Sequence, residues 1–133
     1  MAVLVDTNVI LDLVTDDPQW ADWSEAKLQS LEDSPLLINP IIFSELCVGA
    51  ESAQEVAALC DQLNLQILEL SPHALFLAAK AFLKYRRSSG KKTSPLPDFY
   101  IGAQAQDADI PILTRDPTRY HSYFPYVALI APS

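Results

Sequence analysis

The chain has 133 residues, half of them hydrophobic, which predicts a single domain over residues 1–133 with a core large enough to fold alone. It has no apolar run near the roughly 18 residues of a membrane span and no signal-peptide pattern at its start, so we expect a cytoplasmic protein. The net charge of −8 argues against a general nucleic-acid binder, but six of the nine basic residues lie between Lys80 and Lys92. That basic segment predicts either a rim for a polyanion or a solvated helix face and loop.

Short apolar segments alternate with helical patterns along the chain. The predicted strands cover 2–5, 36–38, 66–70, 112–114 and 127–130. The predicted helices cover 8–14, 18–33, 41–49, 52–63, 72–85 and 98–107, with a long loop over 86–97 and a turn-rich connection over 116–123. This alternation predicts an α/β fold with a short, mostly parallel central sheet and helices on both faces.

Asp6 ends the first apolar segment. Side chains just past the carboxyl ends of parallel strands border the crevice in which α/β proteins bind ligands, so Asp6 is a candidate for metal chemistry. Asp is also a good helix cap, and the apolar run at 9–11 needs a start signal. The two interpretations are equally supported by this segment alone.

Glu45 lies inside a predicted helix whose same face carries apolar residues. A carboxylate in an apolar stripe is costly to bury unless it is paired, hydrogen-bonded or bound to a metal, so Glu45 requires a partner. The alternative is a position at the edge of the core, where the stem packs and the carboxylate reaches water.

Asp98 and Asp116 complete a set of four acids. Asp98 opens a helix, which capping and the helix dipole would explain by themselves. Asp116 follows the strand at 112–114 and repeats the pattern of Asp6. Together with Glu45 these aspartates form an all-oxygen set of hard ligands suited to Mg²⁺ or Mn²⁺.

Four segments spread over the chain resemble PIN-domain ribonucleases of the VapC toxin type. They are residues 6–12 (DTNVILD), 43–46 (FSEL), 97–103 (PDFYIGA) and 113–120 (LTRDPTRY). The resemblance implies that Asp6, Glu45, Asp98 and Asp116 form an acidic metal quartet, which Thr114 supports by hydrogen bonding. Asn8 and Asp12 also match the opening motif; Asn8 could serve the fold, and Asp12 could face solvent on its helix.

The resemblance implies an endoribonuclease that hydrolyses RNA phosphodiester bonds with Mg²⁺ or Mn²⁺. One or two ions would lower the pKa of the attacking water and stabilise the leaving oxygen. The resemblance also implies a homodimer, and neutralisation by a cognate VapB-type antitoxin that offers a basic side chain to the acids. Stacking and phosphate pairing hold single-stranded RNA, so the candidate substrate contacts are Tyr100, Arg115, Arg119, Lys91 and Lys92.

Two other functions are open to this sequence. The first is a catalytically silent PIN-fold module that binds RNA or protein, with the acids acting as caps. The second is a receiver-like phosphoacceptor domain, which also gathers aspartates at strand ends but expects a lysine after a late strand. Residues 114–116 read Thr-Arg-Asp and contain no lysine.

Overall fold

The structure, a computed structural model, describes residues 1–88, 90–91 and 96–133, which form five strands and seven helices. The strands are β1 (Val3–Val5), β2 (Leu36–Ile38), β3 (Leu65–Ile67), β4 (Ile112–Leu113) and β5 (Leu129–Ile130). The helices are α1 (Thr7–Val14), α2 (Ala21–Ser30), α3 (Pro40–Cys47), α4 (Ala53–Gln62), α5 (Pro72–Arg87), α6 (Pro97–Ala108) and α7 (Thr118–Tyr123). None of the described helices is long and apolar enough to cross a lipid bilayer.

All the strand pairs are parallel, and the strand order is β3-β2-β1-β4-β5. The chain therefore places β2 and β3 on one side of β1, and then β4 and β5 on the other side. Because parallel crossovers are right-handed, the two directions place helices on opposite faces of the sheet. The predicted α/β class is confirmed. The order also differs from the 2-1-3-4-5 order of receiver-like folds, which argues against a phosphoacceptor domain.

The central strands are buried on both faces, as their continuous apolar sequences predict. Val3, Leu4 and Val5 of β1 are at most 2% exposed, and β4 beside it is equally buried. Full burial of both faces is the usual state of a parallel sheet covered by helices. The core thus forms a rigid base for the residues that follow β1 and β4.

Two helices differ from the sequence predictions. The helix predicted over 18–33 begins only at Ala21, because the Asp17 carboxylate accepts the backbone N–H groups of Gln19 and Trp20 and closes a separate turn. The connection predicted over 116–123 contains α7, whose Tyr120 is 1% exposed. Burial of the Tyr120 ring stabilises the six-residue helix α7, which the turn-forming residues of this segment do not predict.

The middle of α6 lies close to the end of α7 at Gly102. A Cβ atom at this position would collide with the ring of Phe124, which is itself buried. A glycine is therefore required for this contact, which holds α7 against α6.

A buried amide pair ties α3 to α6. Asn39 caps α3 by accepting the Ile42 N–H at 2.8 Å, and its own Nδ2 donates to Gln104 Oε1 at 2.9 Å. The Gln104 amide donates in turn to the backbone carbonyls of Leu68 and Glu69 after β3. These bonds fix the helices that carry Glu45 and Asp98 relative to the sheet.

Candidate active site

The site lies at the point where the sheet reverses its strand order, between β1 and β4. Asp6 directly follows β1, and its backbone N–H still donates to Leu113 O of β4 at 2.9 Å. Asp116 follows β4 after two residues. Connections diverge from such a switch point to opposite faces of the sheet, which leaves a crevice at the carboxyl ends of the strands.

The four acids predicted from the sequence line one cavity of about 190 Å³ in this crevice. Asp6, Glu45, Asp98 and Asp116 are joined in its lining by Thr7, Asn8 and Leu11. Four separate elements of the chain supply the acids: the end of β1, α3, the first turn of α6 and the segment after β4. The fold thus brings together carboxylates that are up to 110 residues apart.

Both carboxylate oxygens of Asp6 accept hydrogen bonds. The Thr7 N–H donates to Oδ1 at 2.7 Å, so Asp6 also caps α1 as the alternative interpretation predicted. Oδ2 accepts from Thr114 Oγ1 at 2.8 Å, from the Tyr120 hydroxyl at 2.9 Å and, at 3.4 Å, from Asn8 Nδ2. Capping and site formation are therefore carried out by the same carboxylate.

Burial and neighbouring charges disfavour the ionised form of two of the acids. Desolvation, with a contribution from the charge of Asp98, raises the pKa of Asp6 to about 6, although hydrogen bonds from Thr114, Tyr120 and Thr7 act in the opposite direction. Desolvation also raises the pKa of Asp98, as do the charges of Glu45 and Asp116, while Arg119 lowers it. Carboxylates held this close to one another are stabilised by a cation.

The acids other than Asp6 are less buried, and Glu45 and Asp98 each have a polar neighbour. Glu45 is partly buried, and its Oε1 accepts a hydrogen bond from Thr7 Oγ1 at 2.6 Å. Asp98 has 41% of its side-chain surface exposed and lies 3.9 Å from Arg119 Nε. The hydrogen bond from Thr7 therefore supplies part of the stabilisation that the Glu45 carboxylate needs in its apolar surroundings.

The donor set fits a hard divalent cation, although the ligands are not assembled around one. All the acidic ligands are oxygens, and raised carboxyl pKa values favour charge neutralisation by a metal. Within the described ranges, however, no three Asp, Glu, His or Cys side chains form a group that could hold a metal ion as they stand. A cation at this site would require small side-chain movements of the more exposed acids.

Arg115, a predicted substrate contact, takes part in an internal ion pair. Its Nε lies 3.0 and 2.8 Å from the two carboxylate oxygens of Asp12, which is 2% exposed and also accepts the Ser24 hydroxyl. The alternative in which Asp12 faces solvent is therefore wrong. The Arg115 N–H donates to Asn8 Oδ1 at 3.3 Å. Together these contacts fasten the segment that carries Asp116 to α1.

The other predicted substrate contacts are dispersed. Arg119 borders the acids, whereas Tyr100 packs against the core and lines neither of the cavities that contain the acids. Lys91 is exposed in the connection after α5. Lys92 lies outside the described residues.

The sequence interpretation missed two hydroxyl groups of the site. Tyr120 and Thr7 donate to the carboxylates of Asp6 and Glu45, respectively. Thr7 could have been found, since it adjoins Asp6 at the strand end. Tyr120 could not, because its contact depends on α7, which the local sequence does not indicate.

The fold and the site define an α/β domain with an acidic centre at its topological switch point. Residues 3–122 match the family model of the PIN domain, and the chain belongs to this family. The PIN-domain resemblance predicted from the sequence is confirmed. Among curated protein sequences none matches the chain.

Solved structures similar to this one include two VapBC proteins and FitAcB. VapBC2 from Rickettsia felis, bound to a DNA fragment of its promoter, has 16% identity and a TM-score of 0.75, with 100% of both chains covered. VapBC-1 from nontypeable Haemophilus influenzae has 16% identity and a TM-score of 0.72 over 98% of both chains. FitAcB from Neisseria gonorrhoeae has 26% identity and a TM-score of 0.65 over 96% of both chains. The family match and the shared fold therefore agree that this chain is a PIN domain.

Proposed function

We propose that this protein is a metal-dependent endoribonuclease and the toxin of a VapBC-type toxin–antitoxin pair. The observation that carries the proposal is the convergence of Asp6, Glu45, Asp98 and Asp116 on one cavity at the switch point of the sheet. Four carboxylates in one crevice are unfavourable for a purely structural role, because their mutual repulsion and desolvation raise carboxyl pKa values.

The four acids are assigned as ligands of one or two Mg²⁺ or Mn²⁺ ions. The bound metal supplies a water of lowered pKa and neutralises charge on the phosphate. Asp6 is held in orientation by the hydroxyl groups of Thr114 and Tyr120, so its position is fixed before substrate arrives. Preorganised ligands of this kind need no rearrangement during the reaction.

Glu45 is assigned to orient the attacking water. Thr7 donates a hydrogen bond to its Oε1, and α3 brings it into the lining of the cavity that the strand-end aspartates share. Arg119, 3.9 Å from Asp98, supplies positive charge at the edge of the site where the phosphate of the substrate approaches.

The decisive test is cleavage of single-stranded RNA by the purified full-length protein. We expect cleavage with Mn²⁺ or Mg²⁺, none with EDTA, and a loss of at least a hundredfold in Asp6→Asn and Asp98→Asn, in line with the loss of a group that stabilises transition-state charge. Asp22→Asn on the exposed face of α2 removes the same charge outside the cavity and should cleave normally.

Two outcomes would contradict the proposal. Cleavage that survives both EDTA and Asp6→Asn would exclude the metal mechanism. RNA binding without cleavage under any cation would favour the catalytically silent binding module. A DNA strand of the same sequence tests the preference for RNA, because the 2′-hydroxyl is the group that distinguishes the two.

The proposed partners are a VapB-type antitoxin and a second copy of this chain. An antitoxin that offers a basic side chain to the acids would be favoured by their charge and would inhibit cleavage. Co-expression with the adjacent small reading frame should yield a stable complex. Light scattering of the purified protein tests the homodimer, and a monomer at all concentrations would exclude it.

A further inference from the structure

A second cavity, of about 500 Å³, adjoins the acidic one. Asp98 and Asp116 line both, so the two spaces meet at these carboxylates. Tyr85 of α5 and Arg119 and Tyr123 of α7 form other parts of its wall. A group bound here would therefore lie directly beside the position at which the acids act.

The wall of this second cavity contains tyrosine rings that are held in place by their neighbours. The ring of Tyr85 lies 5.6 Å from that of Phe99 and 6.2 Å from that of Tyr123, and the Phe99 and Tyr123 centroids are 5.3 Å apart. Gly90 lies directly against Tyr85, since a Cβ there would collide with the ring. Both tyrosines are only partly buried, so they present aromatic surface that is already ordered.

Positive charge accompanies this aromatic surface. The Arg119 guanidinium lies 5.4 Å from the Tyr85 ring centroid and 5.7 Å from that of Phe99, and 34% of its side-chain surface is exposed. The last turn of α5, which carries Tyr85, also contains Lys84, Arg86 and Arg87. In a chain of net charge −8, this is a local region suited to an anion.

We propose that the second cavity is the subsite for the nucleotide next to the scissile phosphate of a single-stranded RNA. The base packs against Tyr85 and Tyr123, and its phosphate pairs with Arg119. Aromatic rings beside a basic groove bind single strands, because every unpaired base offers a face for stacking. This inference rests on the proposed function, since it names how the substrate of the acidic site is held.

The test compares variants of the full-length protein on an RNA that the wild type cleaves. Tyr85→Leu removes the ring, and Arg119→Gln removes the charge. We expect each to raise KM about tenfold, the usual effect of losing one stacked base or one phosphate contact, with a smaller change in kcat. Tyr85→Leu should also weaken the preference for the base beside the cleaved bond. Tyr85→Phe should regain most of the lost affinity.

Two further measurements separate binding from folding and from general charge. Fluorescence anisotropy of a labelled RNA, measured in the Asp6→Asn background with Mn²⁺, should show the same tenfold weakening without cleavage. Lys27→Gln on α2 makes the same change of charge as Arg119→Gln outside both cavities and should bind as the parent does. If Tyr85→Leu does not fold, Arg119→Gln decides, because that side chain is partly exposed.

The outcomes distinguish the subsite from the function on which it rests. If the wild type cleaves RNA and both variants keep KM, affinity and base preference within twofold of it, the subsite is refuted and the nuclease stands. If the wild type neither binds nor cleaves RNA, both proposals fail together. Raised KM with an altered base preference supports the subsite.

Discussion

The stability of the cation-free protein should fall as the pH rises through the titration of Asp6. Its pKa is about 6 in the folded chain, against an ordinary value of 3.8 that applies when it is unfolded. Below pH 3.8 Asp6 is protonated in both the folded and the unfolded state, and its contribution to stability is fully present. As the pH rises towards 6, the unfolded state loses its proton first, and folding becomes less favourable. At one pKa unit per 1.4 kcal/mol, the loss amounts to about 3 kcal/mol by pH 7.

A divalent cation should reverse this loss, because it binds the ionised carboxylates of the folded state. At a concentration one hundred times its Kd, a ligand specific to the folded state adds about 2.7 kcal/mol. The assay is urea denaturation followed by circular dichroism between pH 4 and pH 7.5, in EDTA and in millimolar Mn²⁺. The two pH profiles should coincide near pH 4 and separate above pH 6.

Asp6→Asn provides the control, because its amide does not titrate. In either orientation the new amide nitrogen faces a hydrogen-bond donor, which lowers the stability of the variant by an amount that does not depend on pH. Only the pH dependence of the difference in unfolding free energy between variant and wild type is therefore informative. That difference should change by about 3 kcal/mol between pH 4 and pH 7. Parallel profiles for the two proteins, or a wild-type stability unmoved by Mn²⁺, would refute the reasoning.

Three substitutions test the supports of the site and of α7. Tyr120→Phe keeps the ring but removes the hydroxyl that is bonded to Asp6. Urea denaturation at pH 7 should therefore show a loss of about 2 kcal/mol, and calorimetry should show a weaker Mn²⁺ affinity. An unchanged affinity would contradict a positioning role for the hydroxyl. Asp12→Asn leaves the Arg115 guanidinium without its carboxylate and should cost about 3 kcal/mol of unfolding free energy, whereas a loss below 1 kcal/mol would show that the pair is unimportant. Gly102→Ala should cost about 2 kcal/mol through overpacking, and a neutral effect in thermal denaturation would contradict the close approach of α6 and α7.

The sequence was sufficient for the number of strands and for the positions of the acids, but not for all strand bounds: β3, predicted over 66–70, is Leu65–Ile67, and β5, predicted over 127–130, is Leu129–Ile130. The all-apolar segment before Asp6 could only be a short buried strand, and a parallel sheet places the ends of its strands at one edge. Glu45 was conspicuous because a carboxylate in an apolar helical stripe needs a partner. These inferences depend on the spacing of apolar residues and on the chemistry of single residues, both of which can be read directly from a sequence.

The contacts between side chains distant in sequence could not be predicted. The Asp12–Arg115 pair joins residues 103 positions apart, and neither residue has a local signal for the other. Helix α7 was missed because residues such as Asp116 and Pro117 favour a turn, while the burial of Tyr120 that stabilises the helix is a tertiary effect. Where the local sequence preference was misleading, as at α7, tertiary packing determined the secondary structure.

The arrangement around Asp6 explains why the most buried acid of the quartet is also the most constrained. Three side-chain donors converge on its Oδ2, yet burial still raises its pKa to about 6. Those donors therefore offset only part of the cost of an ionised carboxylate, and in the proposed nuclease a cation would supply the rest. Asp98 and Asp116 are more exposed and also line the second cavity, so in the proposed mechanism they are the ligands that would adjust when metal and substrate bind. On this proposal, a fixed inner ligand and adjustable outer ligands account for a site whose acids share one cavity, although no metal-binding group is already assembled among the described residues.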